Sequence, residues 1–226
     1  MSTDPSTSVT PAEEELPLII SVDDHVMEPR DLWQQQLPPS KRDRGPRTVQ
    51  EKVRLKFEGG HYGFERNDPD GHLCDVWLYD DLVTPTGFLH GPAGVPREEQ
   101  RNVAAVYEDL RPGTYSQRER LEDMELNHVS AAINYPNIFP RFCGQGFLER
   151  EDKEFALECL KIYNDWIIDD WGGGAGRGKL IPLTLIPLWD PVLAAEEVRR
   201  CASKGSYAIA FSENPSKLGC ATMYSG

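Results

Sequence analysis

At 226 residues and 25.5 kDa the chain is long enough for one sizeable domain, and 39% hydrophobic with 9% aromatic residues is lean but globular. A net charge of −13 and a pI near 4.8 argue against nucleic acid or an anionic membrane as the main partner. No window approaches the roughly 20 apolar residues of a membrane helix, and the five scattered cysteines lack a Cys-x-x-Cys pair, which favours reduced thiols in a cytoplasmic protein over disulfides or a cysteine zinc site.

In chain order, residues 1–15, "MSTDPSTSVTPAEEE", have neither a basic nor an apolar stretch, so they read as a solvated, disordered acidic tail rather than a secretory signal. Residues 18–22 are a short apolar run that fits a buried strand. Asp31 is placed to cap "LWQQQL" as a helix, and Arg30 to form a surface salt bridge. "VRLKFEGGHYGFER" alternates on both sides of Gly59-Gly60 and reads as a hairpin. From 67 to 113 there is no sustained period, so the region from about 49 to 113 reads as an insertion without a core of its own.

Beyond it the texture changes. "SQRERLEDMELNHV" has a helical pattern, and "SAAINYPN" follows as a strand ending at Asn137. "REDKEFALECLKIYNDWIIDDW" carries a broad apolar helical face, with Trp166 and Trp171 as packing residues, and the glycines of 172–178 end it. "KLIPLTLIPLW" is a strand, Asp190 caps "PVLAAEEVRRCASKG" as a helix, and "SYAIAF" is a further strand ending near Glu213. Strands alternating with helices in this way give a mainly parallel sheet, with the strand C-termini on one side where such folds build their sites.

The first of those strand ends carries "SVDDHVMEP". Side chains two apart on a strand share a face, so Asp23 and His25 point one way and Asp24 the other. A carboxylate and an imidazole converging there are half of a divalent metal site. From spacing alone the plainer alternative is a turn in which Asp23 caps backbone amides and His25 packs on a neighbour. Asn137 and Glu213, at two other strand ends, are candidate pocket residues, with backbone capping as the alternative.

The segment Asp23-Asp24-His25 with Glu28-Pro29 resembles the first strand of the amidohydrolase-related family (amidohydrolase family 2, related to aminocarboxymuconate semialdehyde decarboxylase), whose ligand pair is His-x-His, Glu-x-His or Asp-x-His, the last being the form found here. "RLEDMELNHVSAAINYPN", "KLIPLTLIPLWDP" and "YAIAFSENPSKLG" resemble the next three strand regions, so the likeness spans most of 18–219. It implies a (β/α)8 TIM-barrel fold, truncated after about four strands, with Asp23 and His25 as metal ligands. Zn²⁺ leads as the metal, and an aspartate ligand also suits Mn²⁺ or Mg²⁺. The implied activity is hydrolysis of a small organic substrate by a metal-activated water, or non-oxidative decarboxylation as a carboxy-lyase.

The family's later histidine and its acid/base aspartate have no counterpart before residue 226. His61, His72, His90 and His128 fall in the hairpin, in loops, or before a strand, and read as exposed or packing histidines. The expectation is therefore the first half of a barrel, with a catalytically inactive fragment or partner-binding subunit as the reading from another class. Insertions like that at 49–113 commonly mediate dimers in related enzymes, which makes a homo-oligomer a further expectation. "GGAGRGKL" is no phosphate loop, since Leu180 stands where Ser or Thr must reach the metal. Neither a Gly-x-Gly-x-x-Gly run nor a Gly-x-Ser-x-Gly elbow is present.

Overall fold

The computed structural model describes residues 16–212, 214–222 and 224. The expected disordered tail, 1–15, and Glu213 lie outside them.

Four strands form a parallel sheet: β1 (Ile19–Val26), β6 (Val129–Pro136), β7 (Leu180–Thr184) and β8 (Ala208–Ile209), side by side in that order. Helix α2 (Gln117–Leu126) leads into β6, α3 (Lys153–Trp166) into β7 and α4 (Pro191–Ser203) into β8. The alternation read from the sequence is thus the alternation observed. The last two strands are shorter than their apolar runs. β7 stops at Thr184, and Leu185 continues as loop held by Asn164, whose Oδ1 accepts from the Leu185 amide (2.8 Å) while its Nδ2 donates to the Leu185 carbonyl (2.8 Å). Asp190 caps α4 through the amides of Val192 (2.8 Å) and Leu193 (3.1 Å).

Three expectations near the start of the chain are corrected. β1 is longer than residues 18–22, so Asp23, Asp24 and His25 lie within it. The apolar side chains leading into it and along its first half are also not buried: Leu18, Ile20 and Val22 are 76%, 64% and 62% exposed. The cause is position, because β1 is an edge strand paired only with β6. Asp31 precedes α1 (Leu32–Gln36), but its carboxylate accepts from the Gln35 side chain instead of capping amides.

The insertion is more ordered than its sequence suggests. β2 (Arg47–Glu58) and β3 (His61–Arg66) form the expected hairpin, and Gly59 and Gly60 take positive φ at its turn (58° and 82°). β4 (His72–Tyr79) and β5 (Leu82–Pro85), in the stretch without a period, complete an antiparallel sheet of order β3-β2-β4-β5. Val53, Cys74, Val76 and Ala104 form a small apolar cluster on one of its faces, where no core was expected. β4 also joins the insertion to the main core, where Trp77 and Tyr79 pack with Trp33, Phe139 and Phe147. The Trp33 ring lies 5.1 Å from Phe139 and 5.6 Å from Trp77. Trp166 and Trp171 are buried core residues, and Cys74, Cys143, Cys159 and Cys201 are buried, with Cys220 half-buried. Among the described residues no helix is long and apolar enough to cross a membrane.

Candidate active site

β1 departs from regular alternation where the candidate site begins. Ser21 pairs with Ala132 and Asp24 with Asn134, so β1 holds one more residue than β6 over this interval, a bulge at Val22–Asp23. Bulges re-aim side chains, and they recur beside active sites. Asp24 is occupied: it accepts from Ser21 Oγ (2.8 Å) and pairs with Arg120 (3.4 Å). Asp23 and His25 are exposed and line the mouth of a groove of about 580 Å³, together with His90, the loop Gly91–Gly94, and Arg111, Arg120 and Asp123; Asp24, expected to face the other way, lines the same groove, because the bulge breaks the alternation there.

The geometry defines His25 further. Its Nδ1 lies 3.3 Å from the Pro136 carbonyl at the end of β6. A carbonyl oxygen only accepts, so in the neutral ring Nδ1 carries the proton and Nε2 keeps its lone pair. This is how a metal-binding histidine is usually oriented. The Tyr135 ring, 5.9 Å away, flanks the imidazole.

His90, expected to be an exposed or packing residue, stands in the same groove. The insertion folds back across the end of β1 and carries His90 there. Its Nδ1 accepts from the Gly87 amide (2.9 Å), which leaves Nε2 as the protonated nitrogen of the neutral ring. Burial, with His25 nearby as the lesser cause, holds its pKa below the ordinary histidine value and so favours that neutral ring. His61, His72 and His128 are exposed, as expected.

Two further groups brace the site. Arg120 donates to the carbonyls of Gly113 (2.5 Å) and His25 (2.7 Å) as well as pairing with Asp24, tying α2, β1 and the end of the insertion together. Glu28 is fully buried just beyond β1. Its Oε1 accepts from the Asn137 amide (3.1 Å), while its Oε2 has no hydrogen-bond partner. Burial pushes its pKa up to about 7, against the opposing pull of backbone amides that include those of Asn137, Ile138 and Phe139. Glu28 was legible only as part of the motif around Pro29, and nothing in the helical pattern of α2 singles out Arg120. Arg30 forms the expected surface ion pair with exposed Glu108 (2.5 Å), and it also pairs with buried Asp75 (2.5 Å), which the sequence did not suggest.

Asn137 does not join this group. It follows β6 and meets Glu28 through its backbone, and it is not part of the groove wall. Asp23 and His25 make two donors, and among the described residues no three His, Cys, Asp or Glu side chains gather as a metal cluster. A zinc site takes three or four protein ligands. These residues therefore suit one side of a metal centre and do not complete it.

No protein-family model matches this sequence, and no curated protein matches it. In three dimensions the chain is similar to a crystal structure of an amidohydrolase from Mycobacterium avium subsp. paratuberculosis K-10, with a TM-score of 0.54 at 18% identity. The match covers 85% of this chain and 48% of the other, so the chain spans about half the length of that enzyme. At this identity the likeness is one of fold, an amidohydrolase-like α/β architecture.

Proposed function

We propose that this chain carries the first strands of a metal-dependent hydrolase of the amidohydrolase type, acting on a small organic substrate. The observation that carries the reading is the pairing at the end of β1: Asp23 and His25 line one groove, and the Pro136 carbonyl leaves His25 Nε2 free to coordinate. A divalent metal held there, zinc first and manganese or magnesium next, supplies a water acidic enough to attack near neutral pH. Asp23 and His25 hold one side of that centre. His90, protonated at Nε2, donates a hydrogen bond to a substrate oxygen in the groove. Arg120 keeps Asp24 and the His25 backbone in place, so that Asp23 and His25 stay available.

The remaining donors come from beyond these four parallel strands. The exposed apolar residues of β1, together with Ile209 (42% exposed) and Phe211 (53%) at the far strand, support this. Further strands on these two edges would close the sheet into a barrel and cover both.

The test is calorimetric titration of Zn²⁺ and Mn²⁺ into the chain and into the Asp23→Ala/His25→Ala double variant. Weak binding that falls at least tenfold in the variant is expected for two of four ligands. Equal binding by both proteins would falsify the reading, and no binding by either would favour a partner-binding subunit. The intact mass of the protein from its source reports whether further strands exist. For any substrate that is turned over, incorporation of labelled oxygen from water supports hydrolysis, and CO₂ release without water addition assigns the carboxy-lyase reaction.

A further inference from the structure

One peptide group stands between His25 and the buried carboxyl of Glu28. Its carbonyl, that of Pro136, faces His25 Nδ1 at 3.3 Å, and its N–H, that of Asn137, donates to Glu28 Oε1 at 3.1 Å. The peptide is trans, so its carbonyl and N–H point in opposite directions and the two side chains lie on opposite sides of it. His25 is thus in the groove and Glu28 in the core, joined through the end of β6.

Glu28 is held firmly at its own end. Tyr107 Oη donates to the Glu28 carbonyl (2.8 Å) and accepts from Trp77 Nε1 (3.3 Å), which ties the residue to the packed core. Its carboxyl faces the successive amides of Asn137, Ile138 and Phe139, all of which favour the ionised form. Capping this turn needs only a neutral acceptor. A fully buried carboxyl with one oxygen unpartnered is a costly way to do it, and that cost points to a use for the charge.

We propose that Glu28 is a positioning residue for His25, holding the imidazole proton on Nδ1 through the Pro136–Asn137 peptide group. The carboxylate draws on the Asn137 N–H, the peptide polarises, and the Pro136 oxygen becomes a stronger acceptor for Nδ1–H. Hydrogen bonds in a chain strengthen one another in this way. In metal sites a carboxylate commonly fixes the histidine by direct contact; here a peptide group is interposed. That Nε2 then binds a divalent metal better rests on the function proposed above, whereas the position of the proton does not.

Nitrogen-15 NMR of the full chain, labelled in its histidine rings and free of metal, reads that position. It is recorded at pH 8, above the value of about 7 to which burial pushes Glu28, so that the carboxylate predominates. Tyr107 and Tyr163, which sense the Glu28 charge, are pushed by burial well above the ordinary tyrosine value and stay neutral there. The His25 signal is the one lost in His25→Gln. The wild-type ring is expected to carry its proton mainly on Nδ1. Glu28→Gln keeps an acceptor for the Asn137 amide but not the charge, and the ratio of Nδ1–H to Nε2–H forms is expected to fall by about threefold with the circular dichroism unchanged. Glu28→Met leaves no polar atom to bury at this position; it is expected to move the ratio the same way, and it carries the test if the glutamine variant does not fold. A wild-type proton mainly on Nε2 overturns the proposal, as does an unchanged ratio in a folded variant. Failure of both variants to fold also overturns it, leaving Glu28 a structural role alone. Zn²⁺ titration of the same samples separates the two readings: a ratio that moves in a chain that binds no Zn²⁺ upholds the role of Glu28 and removes the metal function.

Discussion

Two apolar runs of similar texture end in opposite environments. Residues 180–186 become β7 and the loop after it, with Leu180, Leu183 and Leu185 nearly inaccessible. Residues 18–22 become the first part of β1, and their side chains stand in solvent. Each run is a good strand former. β7 has a strand on either side and the helical turn Ile167–Trp171, just after α3, packed against it, whereas β1 has β6 alone as a strand neighbour. Burial here is set by the number of neighbours a strand has, and β1 is left with an apolar surface that only further strands would satisfy. The end of β1 differs again: Val26, Met27 and Glu28 are fully buried, so one strand passes from solvent to core within a few residues.

The contrast can be broken most forcefully on the buried side. Leu185→Ala removes a fully buried side chain and is expected to cost about 3 kcal/mol in urea denaturation. Glu28 gives an effect of similar size that depends on pH. Its carboxyl titrates at about 7 in the fold and near 4.5 when unfolded. Stability is therefore fully held below about 4.5, falls as pH rises, and levels off above about 7, by about 3 kcal/mol in total. Glu28→Gln is expected to flatten that dependence, and an unchanged pH profile of the melting temperature would rule out a raised Glu28 pKa. Asn164→Ala removes the side chain that pins the Leu185 backbone and also donates to Glu197 Oε1 (2.8 Å). A loss of about 2 kcal/mol is expected, read by the same denaturation. The smallest change is expected from Ile20→Ala, under about 0.5 kcal/mol, because the residue is mostly exposed. A cost near that of Leu185→Ala would mean that β1 is covered in solution, and would sharpen the case for additional strands.

Much of the architecture was legible. Helical patterning located α2 and α3, apolar runs located the parallel strands, and Asp190 marked the start of α4 that its carboxylate does cap. The hairpin followed from Gly59-Gly60, since paired positive φ values suit glycine. β4 was harder to see: its buried Cys74, Asp75, Val76 and Trp77 show no alternation, because this strand faces the small cluster on one side and the main core on the other.

The candidate site divides in the same way. Asp23 and His25 could be named from their spacing because they are two residues apart on one strand, and local geometry carries such a pair. His90 could not, since it reaches the groove only through the path of a long insertion, 65 residues further along the chain than His25. Asn137 shows the opposite failure, being at a strand end as expected but turned to Glu28 through its backbone.

The sequence by itself determined the order of strands and helices, the turn of the hairpin, and the presence of two acids and a histidine at the end of β1, because each depends on residues close together in the chain. Tertiary structure alone decided which apolar strand is buried, which nitrogen of His25 is free, which residues share the groove, and that β3 is an open edge. Those properties depend on what lies beside a residue in space, and no local pattern of side chains encodes its neighbours.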